Sequence, residues 1–512
     1  CDDADNDCVP GGEQRDTVTV WAADGSPPVD VTDLAAAVAA AGDGDVLGVC
    51  PGDYAGGFTI ASDIELVGDA RELPRILGGG VGPAVRVGAD ASVALRHLEL
   101  RDGLAPQGGG VSAPQATSVE LEGCRVVANQ AGAGGGLAAG GTLTLLDSTV
   151  SGNTASDLGG GVLVLPQGLL VLDGVTDVTG NTARSGGGVT LVDATAYLSS
   201  DASIHQNGAS DAGGGVFGSG DASWDGGTVS ENTAVRGAGM AFEPALGHGD
   251  VRVARATLRD NTATGDGGGL LADGAPNLTV ESTVFEGNVS GARGGGLALL
   301  DCDTVALTGS NVGTGTARFG GGLALESANL TTLSTLAGSF AGNTASVDGG
   351  GLWLMDAAQV QLGQGKTATS IVDNVAAGGG GGIDMTHGPL ELVSPDVARN
   401  SADEGGGLRL SGVDAALLSG QLVDNVATTT GAALHVAGVS RVRLDGWLTV
   451  DSGASTVPGI RVDAPQLVVC GSTSVVDVTE NTVEQRTIAA CYDTTATTFT
   501  VHTAPTCNAL CD

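Results

Sequence analysis

"FEGNVSGARGGGL" runs from Phe285 to Leu297, and "FAGNTASVDGGGL" runs from Phe340 to Leu352. The two phrases share an aromatic residue, an Asn three positions later, and a glycine triplet followed by Leu, while the residues between them drift. An Asn followed four to eight residues later by Gly-Gly-Gly or a close variant recurs at Asn129, Asn153, Asn181, Asn207, Asn232, Asn261, Asn288, Asn343, Asn374, Asn400 and Asn425, and Gly315 fills the missing slot. Three residues before these positions stand Val126, Val150, Val178, Ile204, Val229, Leu258, Phe285, Val312, Phe340, Ile371, Val397 and Leu422. After the triplets come Leu137, Val162, Val189, Val216, Met240, Leu270, Leu297, Leu323, Leu352, Ile383, Leu408 and Leu434. A position that is apolar in every copy of a repeat faces the interior shared by neighbouring copies, so two buried columns are expected.

Around the columns the pattern alternates with period two, as in "LTLLDSTV" (Leu143 to Val150) and "VRVARATL" (Val251 to Leu258). That period indicates short strands rather than helices. Short strands joined by Gly- and Asn-rich corners, repeating about every 27 residues, predict an all-β parallel β-helix of about 14 coils. In this reading Asn takes a corner, tolerating left-handed backbone and bonding its amide to the Asn one coil away, and the glycines make the next corner. Asn and Gly are therefore structural before they are anything else.

Composition narrows the function classes. The 512 residues include 88 Gly, a single lysine (Lys366) and 3% aromatics, with 21 basic against 59 acidic residues and a net charge of -38. Gly is enriched without a collagen period and aliphatic residues are plentiful, so the chain is expected to fold. Phosphate backbones and anionic membranes require clustered Lys and Arg, which argues against nucleic acid. No apolar run approaches the roughly 20 residues of a membrane-spanning helix; "VLVLPQGLLVL" (Val162 to Leu172) is broken by Pro166, Gln167 and Gly168.

"DVTDLAAAVAAAG" (Asp30 to Gly42) predicts a short helix covering the open end of the solenoid. The expected organisation is an acidic tether over 1–16, a cap with the helix over 17–45, the β-helix over 46–470, and a C-terminal cap with a Cys-containing tail over 471–512.

"GDVLGVCPGDYAGGFTI" followed by "VALRHLELRDG" resembles the opening coils of pectin-lyase-like right-handed β-helix proteins. The "FEGN…GGGL" and "FAGN…GGGL" phrases resemble the FxxN and GGA[ILV] motifs of the polymorphic outer-membrane protein repeat, over about residues 44 to 434. The resemblance implies a right-handed coil in a secreted or surface-displayed bacterial protein, often an adhesin. A host or neighbouring-cell surface protein or a neutral glycan is then the expected partner. The autotransporter barrel such proteins carry is not read in this chain.

Nine cysteines, an odd number, leave at least one outside intramolecular disulfides. Cys1 is read either as the lipidated residue of a lipoprotein or as a disulfide cysteine. Cys8 with Cys50, and the C-terminal four, could staple the ends. Cys124 occupies the position held by Ser148, Thr176 and Thr283 in other coils, which suggests packing.

The alternative function is a secreted polysaccharide lyase or glycoside hydrolase, because β-helices of this kind often cleave glycans. Such an enzyme needs carboxylates converging from neighbouring coils, or a base beside a calcium cluster. Asp193, Asp301 and Asp356 share one corner, but their coils are not consecutive. Gly247-His248-Gly249 lacks companion motifs, and "GQGKT" (Gly363 to Thr367) lacks the first Gly of a phosphate loop. No catalytic residue and no cofactor is assigned. Asp3, Asp5 and Asp7 have the spacing of the first calcium ligands, but Cys8 replaces the turn Gly and Gln14 the terminal Glu, so an acidic tether is the simpler reading.

One charged pattern stands out. Asp157, Arg184, Asp211, Arg236, Asp266 and Arg293 precede the triplets of six successive coils with alternating sign; Arg318 breaks the order and Asp348 restores it. Stacked about one coil apart, they are expected to form a charge ladder in which alternation replaces repulsion with attraction. The overall expectation is a non-catalytic adhesin or structural spacer, extracellular or on the outer-membrane surface of a bacterium.

Overall fold

The structure is a computed structural model describing residues 17–243, 249–327, 332–364 and 368–438, with short segments beyond these up to residue 501. The chain is all-β, 57% strand and 2% helix, and winds through about 14 turns of parallel β-solenoid. It divides into two compact units, Cys1–Ala245 and Leu246–Asp512.

In the first unit, strand Val18–Trp21 pairs antiparallel with both Val29–Val31 and Val46–Val49. The helix that follows is Leu34–Ala40, shorter than the helical stretch expected from sequence. It starts late because Val29–Val31 is committed to the sheet, and because Asp33 caps the helix by accepting from the N–H groups of Ala35 and Ala36 at 3.0 and 3.2 Å. Its buried face is Leu34, Ala37 and Val38, set against the strand Phe58–Ile60.

A regular coil carries four strand segments, for example Ser118–Glu122, Arg125–Val127, Gln130–Ala133 and Leu137–Ala139. Each pairs in parallel with its counterpart one coil on: Leu121 with Leu145, Val126 with Val150, Ala131 with Ala155 and Leu137 with Val162. In-register stacking places identical positions about 4.8 Å apart, which is why the repeat reads as columns. Both expected columns are buried, no member being more than 3% exposed. The first begins earlier than its sequence signature, since Tyr54, Ile76 and Leu100 precede Val126 in register and are also buried.

The second unit repeats the plan with Asn277–Glu281, Val284–Glu286, Val289–Ser290 and Leu297–Leu300. A further inward column, of methyl groups two residues after the Asn positions, lies beyond the two expected from sequence. Ala131, Ala155, Ala183 and Ala234 belong to it in the first unit, and Ala263, Ala317, Ala345, Ala376, Ala402 and Ala427 in the second.

Candidate functional site

The Asn corner is a closed hydrogen-bond row. Asn181 Nδ2 donates to Val150 O at 2.9 Å and to Asn207 Oδ1 at 3.0 Å, while its own Oδ1 accepts from the main-chain N and the Nδ2 of Asn153 at 2.9 and 3.0 Å. Asn153 and Asn207 repeat the scheme in the first unit, as Asn374 and Asn400 do in the second, while Asn129 and Asn343 make the same two donations but accept from a single glycine N–H, that of Gly103 or Gly315. Asn232, Asn261, Asn288 and Asn425 are likewise fully buried.

One part of the sequence expectation is corrected. The left-handed residue is not the Asn but the one before it: Ala128, Gln206 and Glu231 in the first unit, and Asp260, Thr314, Asp373, Arg399 and Asp424 in the second, all with φ between 53° and 58°. The reason is direction, because a carboxamide stacked inside the coil leaves the sharp turn to a neighbour whose side chain reaches outward.

A smaller row runs where Cys124 stands. Cys124 N donates to Ser148 Oγ at 3.0 Å, Ser148 N to Thr176 Oγ1 at 3.3 Å, and in the second unit Thr283 N to Ser310 Oγ at 3.2 Å. Cys124 and Cys302 are buried, and burial pushes their thiol pKa values up to about 12, away from the thiolate form. Cys50 is disulfide-bonded.

The charged residues before the triplets come together in pairs. Arg184 Nη2 lies 2.8 Å from Asp157 and Nη1 3.7 Å from Asp211, and Arg236 Nη2 lies 3.1 Å from Asp211. In the second unit Arg293 Nη2 lies 2.8 Å from Asp266. The residues do not share one register position, since Arg236 stands opposite Ala212 rather than Asp211. Its guanidinium reaches back to Asp211 and also meets Glu243 at 2.9 Å. Arg318, which interrupts the alternation, lies 5.5 Å over the Phe319 ring, itself 5.1 Å from Trp353.

Across the triglycine corners of the last regular coils lies a part-buried charged cluster that the repeat pattern does not announce. Arg409 grips Asp384 with two bonds of 2.7 and 3.0 Å and lies 3.3 Å from Asp348 and 3.9 Å from Glu404; His435 Nδ1 lies 3.5 Å from Glu404. Burial raises the pKa of Asp384, opposed by its bonds to Arg409. The sequence signal is the lengthened glycine run Gly378–Gly382: a Cβ on Gly379 would sit 2.2 Å from the Arg409 guanidinium carbon.

A concave feature of the first unit lies on the outer face of its opening coils. Register stacks Val46, Glu65, Ala94 and Glu120 in one outward row, and the small Ala94 leaves a hollow between the carboxylates. The groove, about 300 Å³, is walled by Asp45, Asp63, Ser92 and Ser118. Arg96, in the next row, pairs with Glu65 and Glu122 and lies 3.1 Å from Glu120, so three carboxylates share one guanidinium. Asp45 spends both oxygens on main-chain N–H groups, at 2.8 Å from Ala23 and from Gly42, and Asp63 accepts from Ser92 N at 2.7 Å. Chemically, the groove offers acceptors and hydroxyls to a hydroxyl-rich or cationic ligand.

The carboxylates weighed for catalysis have left-handed backbone, Asp193 at a bulge within the strand Val189–Leu198 and Asp301 and Asp356 at bends, with φ of 44°, 49° and 55°. Asp193 accepts from Asp221 N at 3.1 Å, and Asp356 lies 3.1 Å from His387 Nδ1. Asp301 and Asp356 are two coils apart, with Glu326 on the coil between. Cys1, Asp3, Asp5, Asp7, His248 and Lys366 lie outside the described residues. No family model, curated protein or solved structure matches the chain.

Proposed function

We propose that this chain is a secreted or surface-exposed bacterial β-solenoid acting without catalysis, as an adhesin or a spacer that holds a binding surface away from its origin. The observation that carries the reading is where the repeated polar groups go. Asn carboxamides, corner hydroxyls and the Arg–Asp pairs are each used on a neighbouring coil, so what repeats in the sequence serves stacking. Contact with a partner falls to what does not repeat, and the acidic groove of the first unit is one such feature. Its carboxylates and serines suit the hydroxyls of a neutral glycan or a cationic group on a cell-surface protein, and would repel a polyuronate.

The test is incubation of the full chain with a panel of neutral and anionic polysaccharides, measuring binding by calorimetry and products as reducing ends and unsaturated sugars. Binding of a neutral glycan without product is expected. Product formation would move the assignment to a polysaccharide lyase or glycoside hydrolase, and absence of any binding would leave the spacer.

A further inference from the structure

Among the described residues of the second unit, the Asn row has one break, at Gly315 between Asn288 and Asn343. A carboxamide with an Asn on both sides makes four bonds. Asn374 accepts at Oδ1 from Asn343 N and Nδ2 at 3.0 and 2.9 Å, and donates from Nδ2 to Phe340 O and Asn400 Oδ1, both at 2.9 Å. Gly315 keeps only the main-chain part, its N–H donating to Asn343 Oδ1 at 2.9 Å.

The consequence falls on Asn288, which is fully buried. Its Oδ1 accepts from Asn261 N and Nδ2 at 3.1 and 3.0 Å, and its Nδ2 donates to Leu258 O at 2.8 Å. That leaves the main-chain N–H and the second Nδ2 hydrogen. In the other links of the row these two donors converge on a single carboxamide oxygen. Here they face the space over Gly315, and no protein acceptor meets them among the described residues. Thr314 does not substitute, because its hydroxyl accepts from Gly287 N at 2.9 Å and donates to Gly313 O at 2.8 Å.

The same space is short of donors on its other sides. Asn343 Oδ1 receives one hydrogen bond there instead of two. Phe285 O is the carbonyl that an amide at position 315 would reach, by the pattern of Asn343 to Val312 O and Asn374 to Phe340 O. The glycines flanking the row show the space directly. A Cβ on Gly269 or Gly322 would come within 3.0 Å of the Nδ2 of Asn288 or Asn343, whereas on Gly296 its three nearest atoms would belong to Val312 and the main chain of Gly322. A side chain at 315 is also opposed, since a Cβ there would lie 2.3 Å from Gly321 O.

We propose that a buried water molecule occupies this position and replaces the missing carboxamide. It accepts from the Asn288 N–H and Nδ2, and donates to Asn343 Oδ1 and Phe285 O, which is the full complement of one water. The donor and acceptor count selects water over a small anion: an anion would satisfy the two N–H groups but would face two oxygens to which it cannot donate. The first unit supplies a contrast. Gly103 also stands at the head of an Asn row and donates to Asn129 Oδ1 at 2.9 Å, but it begins that row, with no preceding Asn whose donors need filling.

The experiment is a crystal structure of the full, unsubstituted chain from crystals equilibrated in sodium bromide. The expected result is one density peak about 3 Å from both Asn288 nitrogens, without anomalous bromide signal. A bromide signal at that point would overturn the proposal in favour of an anion site. Absence of a peak, or Asn288 turned to find protein acceptors, would overturn it as well.

Discussion

The Asn corner and the triglycine corner both turn the chain through a left-handed residue, yet only one of them demands glycine. Before the Asn that residue is Ala, Gln, Glu, Asp or Arg in seven coils, and before Gly315 it is Thr, whereas the first residue of each described triplet with positive φ is Gly, from Gly134 to Gly431. The dihedral angle is nearly the same, so conformation alone does not explain the difference. A Cβ on Gly152, at the Asn corner, would meet nothing within 4 Å, while one on Gly159, in the same coil, would lie 2.5 Å from Val162 O. Glycine is required where the chain folds tightly against its own backbone. Where the turn opens to solvent, the cost is only the strain of φ above zero, about 1–2 kcal/mol, and the Asn row beside it supplies the compensating bonds.

The largest expected effect that would break this comparison is at the interior of the Asn corner. Asn181→Asp keeps the shape but turns two donations, to Val150 O and Asn207 Oδ1, into contacts between oxygens at a fully buried site. A loss of about 4 kcal/mol is expected in urea unfolding; a variant as stable as the parent would show that the row is not what holds the corner. Next in size is a matched pair. Gly159→Ala should cost about 3 kcal/mol, because strain and a backbone clash act together, and Gly152→Ala about 1 kcal/mol from strain alone. Equal losses would mean that the dihedral angle, not the approach of backbone, sets the glycine requirement.

Smaller effects belong to the charges outside the corners. Arg236→Asp removes the pairs with Asp211 and Glu243 and should lower stability by up to about 1 kcal/mol, most at low salt; a melting temperature indifferent to salt in both proteins would reduce the ladder to coincidence. The smallest effect is at Asp373, a left-handed residue of the Asn corner. Its hydrogen bonds to Arg399 hold its pKa below the usual carboxylate value. A depressed pKa contributes stability above the unfolded-state value and loses it as pH falls through the folded-state value. Asp373→Asn should therefore be slightly less stable than the parent at pH 7 and equal to it in strong acid, read from melting temperatures across the acid range.

Much of this architecture is legible in the order of the residues. Val126 to Leu422 and Leu137 to Leu434 are apolar in each copy, and each copy meets the same interior, so their burial follows from periodicity. The pairing of Arg184 with Asp157 and Asp211 is legible for the same reason, as opposite charges in adjacent coils. The Asn corner is half legible. Its stacking can be read from spacing, but the shift of the left-handed residue to Ala128 or Asp373 cannot, because a dihedral angle leaves no trace where many side chains tolerate it. The cluster of Asp348, Asp384, Glu404, Arg409 and His435 is hidden because it joins residues on opposite sides of a corner and appears in the last regular coils only.

The repeating unit follows from the residues alone: strand, Asn, glycines, strand, stacked in register. A repeat states the same local solution many times, and each copy tests it against the next. The features that occur once come instead from packing in three dimensions: the groove between Glu65 and Glu120, the guanidinium of Arg409 over Gly379, and the two donors of Asn288 left facing Gly315. Each depends on which side chains a coil places across a corner or beside a neighbour's gap. That depends on loop lengths and packing distances, which a pattern of residue types does not contain.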